Sequence, residues 1–182
     1  MKTRVALITL FAILFSSLAF SDHHLKGERE FTKPTIDIGC VVSDIDASVK
    51  FYTEAIGFKA TGGFKVSPGM ASDAGLTDNK ALDVMVLTLG EGDGATSLKL
   101  MQVQGRSKKL KNDYIDTTLG FSYITIFVTS TDAAMARLKK AGVKPIAKGP
   151  VTLPADLDSS MALTIVRDPD GNLVELLGPK PQ

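Results

Sequence analysis

Few side chains in this 182-residue sequence are suited to chemistry inside a folded body. The two histidines, His23 and His24, are adjacent and near the N-terminus, and the single cysteine is Cys40. This inventory excludes an intramolecular disulfide, and within the folded body it excludes a Cys/His zinc site and a Ser-His-Asp triad. Metal or acid–base chemistry there has to rely on carboxylates, lysines or tyrosines.

Three charged residues lie inside apolar runs. Asp37, Lys99 and Glu175 are each flanked on both sides by aliphatic residues. An acid in the middle of a strand has low strand propensity, so Asp37 is expected to have a partner. A carboxylate in such surroundings could act as a base, and Lys99 could stabilise a developing negative charge.

The N-terminal residues predict export. Lys2 and Arg4 precede the uncharged run Val5–Phe15, and Ala19-Phe20-Ser21 places small residues at a cleavage site. The run is too short to cross a bilayer, so residues 1–21 are predicted to be a signal peptide. We therefore expect a periplasmic or secreted protein that has no membrane contact after cleavage.

Cleavage after Ser21 would create a second candidate site. The new N-terminus would read Asp22-His23-His24. Its free amine, two amide nitrogens and the third-position imidazole can form a square-planar site for Cu(II) or Ni(II). Residues 22–34 are polar and are predicted to form a flexible lead-in.

The sequence of the remaining residues predicts two copies of one α+β module. The first copy has a strand at 36–42, a helix at 45–56 ended by Gly57, strands at 58–66, 82–90 and 96–104, and a long loop at 67–80. The second copy has a strand at 121–128, a helix from Ser130/Thr131 to Ala141, and strands at 143–148, 161–167 and 172–178. Val42 and Asp46 map onto Val128 and Asp132, and Lys99 maps onto Glu175. An internal repeat of this kind is a strong signal of fold.

Several motifs carry a resemblance to a known family. They are Val42-Ser43-Asp44, Phe51-Tyr52, Gly57-Phe58 and the turn Asp168-Pro169-Asp170-Gly171-Asn172 followed by Glu175. The chain resembles the vicinal oxygen chelate superfamily, which includes glyoxalase I, extradiol dioxygenases and bleomycin-resistance proteins. The resemblance implies a domain at 35–179, made of βαβββ modules at 35–105 and 120–179 and a connector at 106–119. It also implies that the two modules pair into an open barrel.

The resemblance further implies four metal-ligand positions. In this sequence they are Asp37, Lys99, Tyr123 and Glu175, of which only Glu175 is the family's usual residue. An ammonium group repels a cation, so Lys99 is expected to replace the metal's charge and to lie within salt-bridge reach of Glu175. We therefore expect no metal cofactor in the barrel. In the simpler alternatives, Lys99 is a solvent-facing sheet lysine and Tyr123 is a core aromatic residue.

The expected function is metal-independent binding of a small molecule. The balance of 21 Lys and Arg against 20 Asp and Glu disfavours nucleic acid. The predicted pocket is an apolar cup with four polar groups, Asp37, Lys99, Tyr123 and Glu175. The predicted apolar residues of the cup are Met85, Leu87, Met101, Phe127 and Leu177. The alternative is a lyase or isomerase that uses Glu175 or Asp37 as base, with or without a weakly bound divalent metal. The modules could pair within one chain or between two chains of a homodimer.

Overall fold

In the part of the chain that the structure describes, the β-structure consists of two four-stranded sheets. The computed structural model describes residues 31–181, apart from Pro34, Arg106, Leu110 and the side chain of Asp93. The described residues from Lys33 onward belong to one compact unit. The predicted signal peptide and the predicted Asp22-His23-His24 site lie outside the described residues.

The first sheet has the strand order β1–β4–β3–β2. Its strands are β1 (Asp37–Val41), β2 (Lys59–Val66), β3 (Leu82–Leu89) and β4 (Thr96–Val103). Strand β1 is parallel to β4, and the other neighbours are antiparallel. Helix α1 (Ile45–Lys50) follows β1 and continues into a π-helical segment (Phe51–Ile56). Helix α2 (Pro68–Asp73) and a 3-10 turn (Gly92–Gly94) lie between the later strands.

The second sheet repeats this arrangement in the order β5–β8–β7–β6. Its elements are β5 (Tyr123–Phe127), α3 (Thr131–Lys140), β6 (Val151–Thr152), β7 (Met161–Arg167) and β8 (Leu173–Pro179). Strand β5 is parallel to β8, as β1 is to β4. The predicted α+β fold with two βαβββ modules is confirmed, and the two sheets are not closed into one barrel. Among the described residues, no helix is long and apolar enough to span a membrane.

Local sequence signals explain the two long helices. The side chains of Asp44 and Ser130 accept hydrogen bonds from backbone N–H groups in the first turns of α1 and α3. These caps satisfy donors that the helix itself leaves unpaired. Gly57 ends the first helical stretch in the left-handed region at φ 104°, a conformation that favours glycine.

Two predicted segments differ from the structure. The predicted loop at 67–80 contains α2, because Ser67 caps the helix and Pro68 occupies its first position. The predicted strand at 143–148 is not formed, and the short strand β6 follows at Val151–Thr152. Pro145 has no N–H to donate to a strand ladder, which explains the irregular backbone at this position.

A large core joins the two modules on the faces of the sheets that carry α1 and α3. A smaller second core contains Ala71 of α2 with Leu82 and Val84 of β3. The large core includes Tyr52 and Ile56 from the π-helical segment and Leu138 from α3. The Arg137 guanidinium also donates to the backbone carbonyls of Ala55 and Ile56, at 3.0 and 2.9 Å. These contacts leave the opposite face of each sheet outside the shared core.

Candidate functional site

Each sheet has an open face, defined as the side that points away from α1, α3 and the shared core. In β1, Ile38 and Cys40 pack against the core. Because side chains alternate along a strand, Asp37, Gly39 and Val41 belong to the open face. The same alternation assigns Tyr123, Thr125 and Phe127 to the open face of the second sheet, since Ile124 and Ile126 contact the core.

An apolar row crosses all four strands on each open face. The register aligns Val41, Met101, Val84 and Phe64 as the first apolar row, in which Val84 is buried in a cluster with Ala71 of α2. It aligns Phe127, Leu177, Leu163 and Val151 as the second apolar row. Phe64 is 51% exposed and Phe127 is 74% exposed. Aromatic side chains this exposed, within a contiguous apolar row, are typical of a surface that binds something.

One charged residue lies beside each apolar row, on the same face. Lys99 is two residues from Met101 in β4, and Glu175 is two residues from Leu177 in β8. The register aligns Lys99 with Gly39 and Glu175 with Thr125. The two charged residues therefore occupy equivalent positions in the two modules, as the internal repeat predicted.

On the first open face, Lys99 is paired with Asp37. The Lys99 Nζ atom lies 2.9 Å from Asp37 Oδ2, and Lys33 contacts the other carboxylate oxygen. The hydrogen bonds from Lys33 and Lys99 lower the pKa of Asp37 from 3.8 to about 2. The expected partner of Asp37 is thus present, and the group carries two positive charges against one negative charge.

The low pKa of Asp37 predicts a pH-dependent contribution to stability. In the unfolded chain the carboxyl group protonates at a higher pH than in the folded chain. Its stabilising contribution is therefore complete above about pH 4 and is lost as the pH falls toward 2. We expect Asp37→Asn to be less stable than wild type at pH 6 and indistinguishable near pH 2, measured by urea denaturation. Asp83→Asn, which removes an exposed ion pair with Lys65, is the control. A difference that persists at pH 2 would contradict the pairing.

On the second open face, Glu175 is held by a neighbouring hydroxyl group. Thr125 Oγ1 donates to Glu175 Oε1 at 2.8 Å. Tyr123 is in line with Leu173 in the adjacent strand and is 51% exposed. This exposure contradicts the alternative in which Tyr123 is a buried core residue, and it leaves the ring on the same face as Glu175.

The structure corrects two details of the predicted site. Among the described residues, Lys99 forms its ion pair with Asp37 and not with Glu175. Met85 and Leu87 lie on the other face of the first sheet from Met101, because they pair across β4 with the core residues Leu100 and Leu98. Met101, Phe127 and Leu177 lie on the faces that point away from the shared core.

The four family ligand positions do not fit a divalent cation. Lys99 brings an ammonium group to one of them and holds the Asp37 carboxylate at a second, and a cation would have to displace that ion pair. Within the described residues, no group of three or more His, Cys, Asp or Glu side chains could hold a metal ion. The chemistry available here is therefore charge pairing and hydrogen bonding beside apolar surface.

A buried polar cluster between the modules was missed by sequence reasoning. Asp168 accepts hydrogen bonds from the Tyr52 hydroxyl group at 3.0 Å and from the Asn172 side chain at 2.8 Å. The backbone N–H groups of Asp170 and Asn172 donate to its other oxygen. Burial, with Asp168 nearby, raises the pKa of Cys40 to about 11, so this thiol is unreactive at neutral pH. The turn motif and Phe51-Tyr52 were both recognisable, but nothing in the local sequence shows that Tyr52 contacts Asp168.

Comparison with protein families and known structures supports the two-module architecture. The family model described as Glyoxalase/Bleomycin resistance protein/Dioxygenase superfamily matches residues 36–176. A comparison with curated proteins finds no match.

Three solved structures illustrate the similarity in fold. A glyoxalase family protein from Bacillus cereus has 19% identity and a TM-score of 0.65, with 83% of this chain and 97% of that chain covered. The trypanothione-dependent glyoxalase I of Leishmania major has 25% identity and a TM-score of 0.54, with 78% of this chain and 84% of that chain covered. An antibiotic-binding protein from Streptomyces has 22% identity and a TM-score of 0.50, with 80% of this chain and 93% of that chain covered.

Proposed function

Because the chain belongs to the Glyoxalase/Bleomycin resistance protein/Dioxygenase superfamily, we propose that it is a metal-independent small-molecule binding protein. Its ligand site lies on the open faces of the two modules. The observation that carries this proposal is the apolar row that crosses each open face beside a single charged residue, Lys99 or Glu175. Apolar surface with a few fixed polar groups is the usual composition of a ligand site.

The donor set supports the proposal that binding is independent of metal. The Asp37 carboxylate is neutralised by two lysines, so it is a poor ligand for a cation and a weak base at neutral pH. This weighs against Asp37 as the base in the alternative in which the protein is a lyase or isomerase. It also commits Lys99 to an existing ion pair, which weakens its assignment as the group that stabilises an enolate.

Export and self-association are part of the same proposal. The signal-like residues 1–21 favour a mature protein that meets its ligand in the periplasm or outside the cell. A second copy of the chain could cover exposed aromatic side chains such as Phe64 and Phe127. The ligand site would then be shared between two chains of a homodimer. Sedimentation equilibrium measures whether this dimer forms.

Methyl NMR spectra with a fragment library test the ligand site. We expect binding fragments to shift the methyl signals of Val41, Leu163 and Leu177 on the open faces. The core methyls of Leu98 and Val166 are the internal control, since both residues are fully buried. If no fragment perturbs the open faces, or if shifts are confined to other surfaces, the proposed function is wrong.

Metal content gives a separate prediction. Protein purified without chelators is expected to contain less than about 0.2 equivalents of Zn, Ni, Fe or Mn, because Lys99 and Tyr123 replace the ligands that these ions prefer. Elemental analysis by mass spectrometry measures this value. The control is a variant lacking residues 22–24, because the predicted N-terminal site would bind Cu or Ni by itself. A stoichiometric metal in that variant would contradict metal independence.

A further inference from the structure

The second open face leads into an apolar cleft at its outer edge. The cleft has a volume of about 240 Å³. It lies between the irregular segment 145–149 and the strands β6 and β7. The residues that line it are Pro145, Ile146, Ala147, Lys148, Gly149, Val151, Leu163 and Ile165.

Backbone pairing fixes the shape of this cleft. The Ile146 N–H group donates to the Ile165 carbonyl at 3.0 Å, which attaches the segment to β7. Leu163 and Ile165 alternate with the buried residues Ala162, Thr164 and Val166, so their side chains belong to the open face. The cleft is therefore a continuation of the second apolar row, in which Val151 and Leu163 are neighbours.

A carboxylate lies directly beside the cleft. Ile165 and Glu175 are opposite each other in the antiparallel pair β7·β8, which places their Cβ atoms about 5 Å apart on one face. Thr125 holds Glu175 Oε1. Across the described part of the chain, the structure gives the other Glu175 oxygen no hydrogen bond, so that oxygen is available to a ligand.

We propose that this cleft takes the apolar group of a small amine, whose ammonium group is bound by Glu175. The inference rests on the proposed function, because it names the ligand class of the second open face. The cleft volume suits one six-membered ring or a branched aliphatic group. Glu175 is part-buried and held by Thr125, whereas the Lys148 side chain on the cleft wall is exposed. The fixed carboxylate of Glu175, and not the exposed ammonium group of Lys148, therefore selects the ligand.

Three related probes separate the contribution of ligand charge to binding from that of ligand shape. Benzylamine, benzyl alcohol and benzoate have the same ring and differ in charge. In methyl NMR titrations of the wild type, we expect benzylamine to bind most tightly and to shift the methyls of Ile146, Val151, Leu163 and Ile165. Glu175→Gln should weaken benzylamine binding about tenfold and change benzyl alcohol binding less than about twofold.

Two tryptophan variants test the cleft itself. Val151→Trp, which fills the cleft, should weaken the binding of both benzylamine and benzyl alcohol about tenfold. Leu76→Trp is the control, because Leu76 is 60% exposed and belongs neither to an apolar row nor to the cleft lining. It should leave both affinities within about twofold of wild type. If Val151→Trp does not fold, the wild-type methyl shifts and Glu175→Gln still decide the question.

The outcomes distinguish this inference from the proposed function. If benzylamine shifts only first-face methyls, such as those of Val41, the proposed function stands and the amine cleft is wrong. If benzoate binds more tightly than benzylamine, Lys148 and not Glu175 selects the ligand, which also overturns the inference. If none of the probes and no library fragment binds either open face, the proposed function fails as well.

Discussion

Replacing Asp168 by alanine should destabilise the protein by about 3–5 kcal/mol, a larger loss than we expect from a substitution at Asp37 or Gly178. Asp168 is 5% exposed and accepts hydrogen bonds from Tyr52, Asp170 and Asn172. Alanine would leave these donors unsatisfied in a buried place between the modules. Guanidinium denaturation at neutral pH measures the loss.

Two further variants show whether the loss arises from the buried cluster. Asp158→Ala is the matched control, because Asp158 also accepts turn hydrogen bonds, from Ser160, but is exposed. It should cost less than about 1 kcal/mol. Tyr52→Phe should be weaker in effect than Asp168→Ala and should show coupling with it in a double-mutant cycle. Equal effects of Asp168→Ala and Asp158→Ala would contradict the role of the cluster.

The second large effect is expected at Gly178 in β8. A Cβ atom there would lie 2.8 Å from the Val128 carbonyl oxygen and 2.9 Å from Thr131 Oγ1. Gly178→Ala should therefore force β8 away from the start of α3 and cost about 2–3 kcal/mol. Because Glu175 lies on the same strand, its hydrogen bond with Thr125 should weaken too. Thermal melts measure the stability, and methyl NMR measures the displacement.

Gly62 provides the matched control for this substitution. It is also a strand glycine, but a Cβ atom there would meet no other atom within 4 Å. Gly62→Ala should be neutral or stabilising by up to about 0.5 kcal/mol, because alanine restricts the unfolded chain. If Gly178→Ala were as well tolerated as Gly62→Ala, the close approach of β8 to α3 would not be a constraint on the fold.

Local signals made most of the fold predictable. Asp44 and Ser130 are capping residues ahead of apolar helical patterns, and Gly57 follows the first of these patterns. The repeat offset correctly placed Lys99 and Glu175 at equivalent positions. These features depend on neighbours close in sequence or on comparison of the two halves, and both can be read without coordinates.

The predictions for the site were wrong where a residue's position depends on contacts with residues distant in sequence. Whether Met85 shares a face with Met101 depends on the register between β3 and β4, which no single strand reveals. The choice of Asp37 over Glu175 as partner of Lys99 depends on how the two sheets are arranged. The contribution of Lys33 was missed because it was assigned to the lead-in, although Lys33 and Asp37 are only four residues apart.

Ligand affinity measured with and without metal tests metal-independent binding most directly. The fragment that perturbs the open faces most strongly in the NMR screen should be titrated calorimetrically in excess EDTA, and again with Zn²⁺ or Mn²⁺ added. The two affinities should agree within about twofold, because the charge beside the ligand comes from Lys99, Asp37 and Glu175. Binding that disappears in EDTA and returns with metal would contradict this proposal.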